Sequence, residues 1–201
     1  MKNKFNILYL LLFSILILCC KETYIPVAKP RMYPKVEFPE KEMIQFRNAD
    51  CNFNFIYPSY FNYQKDSLRF EENYKYPCWF DLYSKKLNTS LHFTFLDIKT
   101  QKDLDNHITD AFKLADEHNI KAVARKESVI ENKEKKVFGL IFEMDGDVAS
   151  PIQFFITDST RNFVRASLYF NDKVNQDSTQ IIYDFVKKDI DEMIKTFVWK
   201  N

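Results

Sequence analysis

Glycine is almost missing from this chain: Gly139 and Gly146 are the only two among 201 residues. A P-loop or a dinucleotide fingerprint needs several closely spaced glycines, so both are excluded. An excess of charge of one sign is missing too, with 29 Lys and Arg against 28 Asp and Glu. That balance leaves no electrostatic footprint for nucleic acid, which is not expected as a partner. Cysteine is scarce at four, too few for a disulfide-dense scaffold, and an apolar fraction of 46% argues against disorder. What remains is a chain of ordinary globular composition, long enough for one buried core.

The amino end reads as an address. Lys2 and Lys4 precede an apolar run from Ile7 to Leu18, followed by Cys19 and Cys20. Such a run fits the core of a secretory signal and is too short for a membrane span of about 20 residues. A noncleaved anchor is the alternative. The junction Ile17-Leu18-Cys19-Cys20 looks like a bacterial lipobox, with Cys20 as the lipidated residue and Cys19 leaving with the signal at residues 1–19. Acylation there, at about 0.8 kcal/mol per buried CH₂, would fasten the chain to a membrane. Cleavage removes Lys2 and Lys4 and turns the net charge from +1 to −1, so no polybasic patch assists the lipid.

Pro26, Pro30, Pro34 and Pro39 crowd the next stretch. Their spacing favours an extended tether over 20–36, with residues 21–35 reaching about 45 Å at 3.1 Å per residue. The other reading of its second half is an edge strand over Met32–Phe38.

A single α+β domain is expected over 37–201. Phe53–Tyr57, Trp79–Tyr83 and Leu91–Phe95 alternate apolar and polar residues as half-buried strands do. Leu104, Ile108, Ala111, Phe112 and Ala115 then recur at helical spacing, behind Thr100-x-x-Asp103 as a capping box and with Asn119 as the stop. Strands follow at 122–131, 136–144, 151–157 and 162–170. Asn132–Lys135, Asp145-Gly146-Asp147 and Asp158–Asn162 serve as turns, of which Asp-Gly is the sharpest hairpin signal. Connections this short imply antiparallel neighbours. A last helix, opened by Asp177 and Gln180, keeps one apolar stripe from Ile181 to Val198. The fold class is therefore α+β: an antiparallel sheet of about seven strands covered by two main helices, with a Mog1/PsbP-like sandwich as an analogy.

Chemistry-bearing constellations do not assemble. His107 has Asp103 and Asp110 one turn away on either side, a spacing that permits a weak metal or acid–base cluster but equally describes a solvated helix face. His118 lies about 16 Å further along that helix, too far to share a metal with His107. His92 alternates with Ser90 and Thr94 on the polar, exposed side of its strand. Ser59, Ser150 and Ser159 lack a Gly-x-Ser-x-Gly elbow. Asp145-Gly146-Asp147 lacks the further carboxylates of a calcium loop. Glu71-Glu72 is a carboxylate pair in a loop, and a glycosidase can draw its pair from distant positions. No catalytic residue, metal or cofactor is therefore assigned. Cys51 and Cys78, the two thiols left after processing, either form one disulfide or remain as buried free thiols. Tyr57–Tyr63 and Tyr74–Trp79 either form a partner-binding rim or pack on the core.

Joined segments carry a family resemblance. The strongest runs from Phe138 to Ser150 (FGLIFEMDGDVAS), continues from Ile152 to Thr160 (IQFFITDST) and from Phe163 to Asn171 (FVRASLYFN), and reaches Asn175–Ser178. Phe38–Lys41, Tyr57-Pro58, Cys78-Trp79 and His118–Ala122 add to it. From Lys29 to Trp199 the chain resembles the gliding-motility lipoprotein GldD family. Ala166-Ser167 departs from a Gly-Ala step in that pattern, and Asn162 from a frequent His. The resemblance implies a lipid-anchored component of the gliding machinery, coupled to type IX secretion, with Cys20 as the lipidated position and no catalytic residues to transfer. It implies gliding or secretion proteins of the envelope as partners, and a membrane-anchored, periplasm-facing location.

Two functions follow as expectations. One is a noncatalytic assembly or stabilising subunit, docking through the sheet face or last hairpin, where Asp158, Ser159, Arg161 and Arg165 are the candidate contacts. The other is an envelope hydrolase or small-ligand-binding lipoprotein using a pocket beside the sheet.

Overall fold

A computed structural model describes residues 36–65, 78–171 and 176–200, with the side chains of 176–178 excepted. The lipobox with Cys20, the tether to residue 35, Glu71-Glu72, Tyr74, Tyr76 and the Asp177 cap lie outside the described residues. Among the described residues, eleven strands and two helices follow in the order β1 (Met43–Gln45), β2 (Phe53–Asn54), β3 (Ile56–Pro58), β4 (Asn62–Lys65), β5 (Phe80–Ser84), β6 (Thr89–Asp97), α1 (Gln101–Asn119), β7 (Ala122–Asn132), β8 (Val137–Gly146), β9 (Ile152–Thr157), β10 (Asn162–Phe170), α2 (Gln176–Thr196) and β11 (Val198–Trp199).

Seven strands form one antiparallel sheet in the order β4-β5-β6-β10-β9-β8-β7. The short pairs β1–β3 and β2–β11 complete the strand pairing among the described residues. The α+β class read from the sequence is the fold observed.

Alternation along the central strands sends side chains to two separate cores. Ile152, Phe154 and Ile156 of β9 join Val164, Ala166 and Leu168 of β10 under α2, through Val186, Ile190 and Met193. Phe155 and Phe163 face the other way, toward Leu104, Ala111 and Ala115 of α1. The two helices thus cover opposite faces. Burial on both sides explains why β9 reads IQFFIT, nearly continuous apolar, with every residue buried.

Local chemistry sets the helix limits. Thr100 accepts a hydrogen bond from the Asp103 amide at 3.2 Å, and Asp103 accepts one from the Thr100 amide at 2.8 Å. That reciprocal box starts α1, which stops at Asn119. α2 ends earlier than its apolar stripe suggests. Thr196 Oγ1 donates back toward the Glu192 carbonyl at 2.8 Å and accepts from the Ile56 amide at 3.1 Å. Beyond it, Val198 and Trp199 pair with Asn54 and Phe53 as β11. Phe197 keeps its place in the core by stacking on Phe53, ring centres 5.1 Å apart.

Two further expectations differ from the structure. The strand expected over Phe53–Tyr57 is interrupted at Phe55, because its halves pair with different partners, β11 and β1. The Asp145-Gly146 hairpin turn is displaced: β8 runs on to Gly146, which pairs with Ala122, and residues 147–151 make the connection. Gly146 adopts φ +117°, a conformation that favours glycine, beside a register shift at Ala122/Ala124. Of the alternative edge strand over Met32–Phe38, residues 36–38 are described and lie in no strand, while 32–35 fall outside the described residues. Phe38 stacks instead on Phe185 of α2, at 4.4 Å between ring centres.

Candidate functional site

The hairpin between β9 and β10 is built by one carboxylate. Asp158 Oδ1 accepts from the amides of Thr160 (2.8 Å), Arg161 (2.8 Å) and Asn162 (3.0 Å), and Oδ2 accepts from the Asn162 side chain at 2.6 Å. Burial raises the pKa of this acid. The hydrogen bonds from Arg161, Asn162 and Thr160 outweigh it and hold the carboxyl below its ordinary range. Ser159 sits at φ +63°, its amide bonded to Thr157 Oγ1 at 2.9 Å. A serine so placed forms a turn. The adjacent Asp158 carboxylate is engaged by the amides of the turn.

Of the four candidate contacts, the structure brings together Asp158, Ser159 and Arg161 at the exposed hairpin tip. Arg165 is elsewhere, three residues and about 10 Å along the strand at 3.3–3.4 Å per residue. Its Nη2 donates to Gln153 Oε1 at 3.1 Å and to Ser167 Oγ at 3.3 Å. Burial lowers its pKa, while Tyr169, Glu117 and Asp110 act in the opposite sense.

Arg165 opens onto a polar cleft of about 300 Å³ over β5, β6 and β10, lined also by Trp79, Asp81, His92, Ser167 and Tyr169. His92 is not merely exposed: its Nδ1 lies 2.5 Å from Asp81 Oδ1, and its ring meets Tyr169 edge-on at 5.2 Å. His118 reaches Tyr169 from α1, Nε2 to hydroxyl 3.1 Å. Burial chiefly, with the nearby Arg165 charge, lowers the His118 pKa against an opposing effect of Glu117, so the neutral ring is favoured. Sequence reasoning missed this grouping. Its members are far apart along the chain, and only the register pairing Asp81 with His92 and His92 with Ser167 joins them.

The other candidates are accounted for structurally. Asp103 is occupied at the α1 cap, and His107 lies against Phe163 with ring centres 5.4 Å apart. Among the described residues no three His, Cys, Asp or Glu side chains converge as metal ligands. Ser59 Oγ accepts from the Glu42 amide at 3.1 Å. Tyr57, Tyr60 and Phe61 are buried and belong to the core, whereas Tyr63 at the end of that stretch is exposed. Tyr60 donates to the buried Asp189 at 2.6 Å, and Lys41 pairs with the same carboxylate at 2.6 Å, fastening the segment before β1 to α2. Burial, with the Asp189 carboxylate, raises the Tyr60 pKa well above its usual value. A disulfide joins Cys51 to Cys78, both buried, with Cα atoms 5.0 Å apart.

Among solved structures, the chain is similar to the solution structure of cyanobacterial PsbP (CyanoP) from Synechocystis sp. PCC 6803, at 12% identity and a TM-score of 0.47, covering 87% of this chain and 99% of that one. No curated protein shows significant sequence similarity to it. The sequence model of one family, described as gliding motility lipoprotein GldD, matches residues 21–199. With most of its length so matched, the chain belongs to the gliding-motility lipoprotein GldD family.

Proposed function

We propose that this protein is a lipid-anchored, noncatalytic assembly or stabilising subunit of the gliding machinery, coupled to type IX secretion and facing the periplasm. The observation that carries the reading is the family match across residues 21–199, which begins next to Cys20. In this reading residues 1–19 are a cleaved signal, Cys20 bears the acyl chains, and 20–36 tether the domain 37–201. Partner proteins of the envelope dock at the β9–β10 tip. Two features support that choice: Asp158 spends its acceptors on making the tip rigid, and Arg161 projects from it exposed. A rigid, charged hairpin costs little conformational entropy on association.

The test is complementation of a deletion strain. Loss of surface gliding should be restored by the wild-type gene and by Ser159→Ala or His107→Ala variants. Arg161→Glu, at normal protein level, should restore it poorly. Failure of Ser159→Ala or His107→Ala at normal protein level would instead favour an envelope hydrolase.

A further inference from the structure

A charge without an ion-pair partner among the described residues marks a second site, away from the hairpin tip. Three neighbouring strands place Asp81, His92 and Ser167 in one row, with Thr94 and Arg165 paired in the next. Trp79 and residues of β5, β6 and β10 line the cleft of about 300 Å³, with none from α1. That is the lower end of the size range of small-ligand pockets.

Arg165 supplies the fixed positive charge. It is half-buried, and both of its hydrogen bonds run from Nη2 to neutral oxygens, those of Gln153 and Ser167. Among the described residues it forms no ion pair, and its Nε and Nη1 donors are uncommitted. Asp81 shares the cleft but is engaged by His92 at 2.5 Å. Tyr169, Glu117 and Asp110 favour the charged guanidinium, and none of them forms an ion pair with it. Beside the guanidinium, Gln153 is 1% exposed, and its Nε2 has no acceptor among the described residues. Charges withdrawn from water are normally paired, so such a group is poised for an anion.

We propose that the Arg165 cleft binds the carboxylate of an organic acid. Arg165 Nε and Nη1 donate to its oxygens. Ser167, whose oxygen already accepts from Arg165, keeps its hydroxyl proton to donate as well. Asp81 in the same cleft repels a second negative charge, which selects a monocarboxylate over a phosphate dianion. Trp79 and Tyr169 flank the apolar remainder of the ligand. The carboxylate can belong to a free acid or to a glutamate of a docking protein. Neither depends on the lipid anchor, so this site and the gliding role fail separately.

The test is calorimetric titration of the full lipidated protein in maltoside micelles with N-acetylglycinate, against chloride at matched ionic strength. Saturable binding is expected, weakened about tenfold or more by Arg165→Gln, as the loss of a charged hydrogen bond implies. Asp81→Asn should tighten it. Absent binding, binding indifferent to Arg165→Gln, or equal affinity for inorganic phosphate at pH 8 would overturn the proposal. Should Arg165→Gln fail to fold by circular dichroism, Asp81→Asn decides: tighter binding supports the site, and unchanged or weaker binding overturns it. A blocked Gly-Glu-Gly peptide separates the two sources. If it binds more tightly than N-acetylglycinate the carboxylate is that of a docking protein, if less tightly that of a free acid, and both results support the site.

Discussion

Truncating Phe80 tests whether the aromatic core holds the segments before β5 onto the main sheet. Phe80 is fully buried, with ring centres 4.6 Å from Phe46, 4.7 Å from Phe93 and 5.4 Å from Tyr63. Phe46 in turn stacks on Phe55 at 4.8 Å, so one ring bridges β5 and the chain around β1 to β3. Phe80→Ala removes about 2–3 kcal/mol of burial. A residual cavity of roughly 70 Å³ adds about 1.7 kcal/mol at about 24 cal/mol per Å³. The expected loss is therefore about 4 kcal/mol, within the usual range of about 3–5 kcal/mol for Phe→Ala. Urea unfolding with the disulfide intact reads it: at a slope of about 2 kcal/mol/M, the midpoint falls by about 2 M. Phe80→Leu keeps most of the volume and should cost less than half as much. A loss below about 1.5 kcal/mol for Phe80→Ala at an unchanged slope, or equal losses for both variants, would refute a tightly packed aromatic core.

Three further outcomes are expected. A Cβ on Gly139 would lie 1.9 Å from the Phe155 carbonyl oxygen, so Gly139→Ala must part β8 from β9 and cost about 3 kcal/mol or more; an unchanged melting temperature would contradict that register. Removing the Cys51–Cys78 bond frees a loop with a sequence separation of 27 and should cost about 3.5 kcal/mol by loop-closure entropy, read as a shift in urea midpoint between oxidised protein and a double serine variant. Asp158→Ala should cost about 1–2 kcal/mol at pH 7 through its lost hydrogen bonds. The folded pKa of Asp158 lies below the unfolded value, so its contribution is complete above about pH 4 and fades as pH falls through the folded pKa. The two proteins' stabilities should therefore converge in acid, and a gap that persists there would contradict the turn's electrostatics.

Features decided within one turn of chain are legible in the sequence, as is the antiparallel sheet implied by short connections, whereas strand register and the pairing of strand ends are not. Thr100 and Asp103 cap α1 through contacts three residues apart. The Asp158 turn is equally local, which is why both could be read. The end of α2 was hidden because Phe197 is buried either as a helical residue or as a link to β11, so the apolar stripe cannot distinguish the two. β4 left no signal, since Asn62–Lys65 is exposed throughout and shows no alternation of burial. Gly146 reads as a hairpin residue because a glycine beside an Asp commonly turns the chain. Here its positive φ serves the end of a paired strand. The Arg165 cleft depends on the register of three strands, so His92, Asp81 and Ser167 look unrelated until the sheet is assembled. Arg165 reads as part of the hairpin tip because it is near in sequence, yet it lines a different surface.

In the proposed role gliding depends on acylation of Cys20, and colony spreading of a deletion strain carrying Cys20→Ala probes that dependence, with the variant's membrane fraction and mass determined in parallel. The variant is expected to be unacylated, to leave the membrane and not to restore spreading. An unacylated, membrane-free Cys20→Ala protein that restores spreading to the wild-type level would overturn the anchored role.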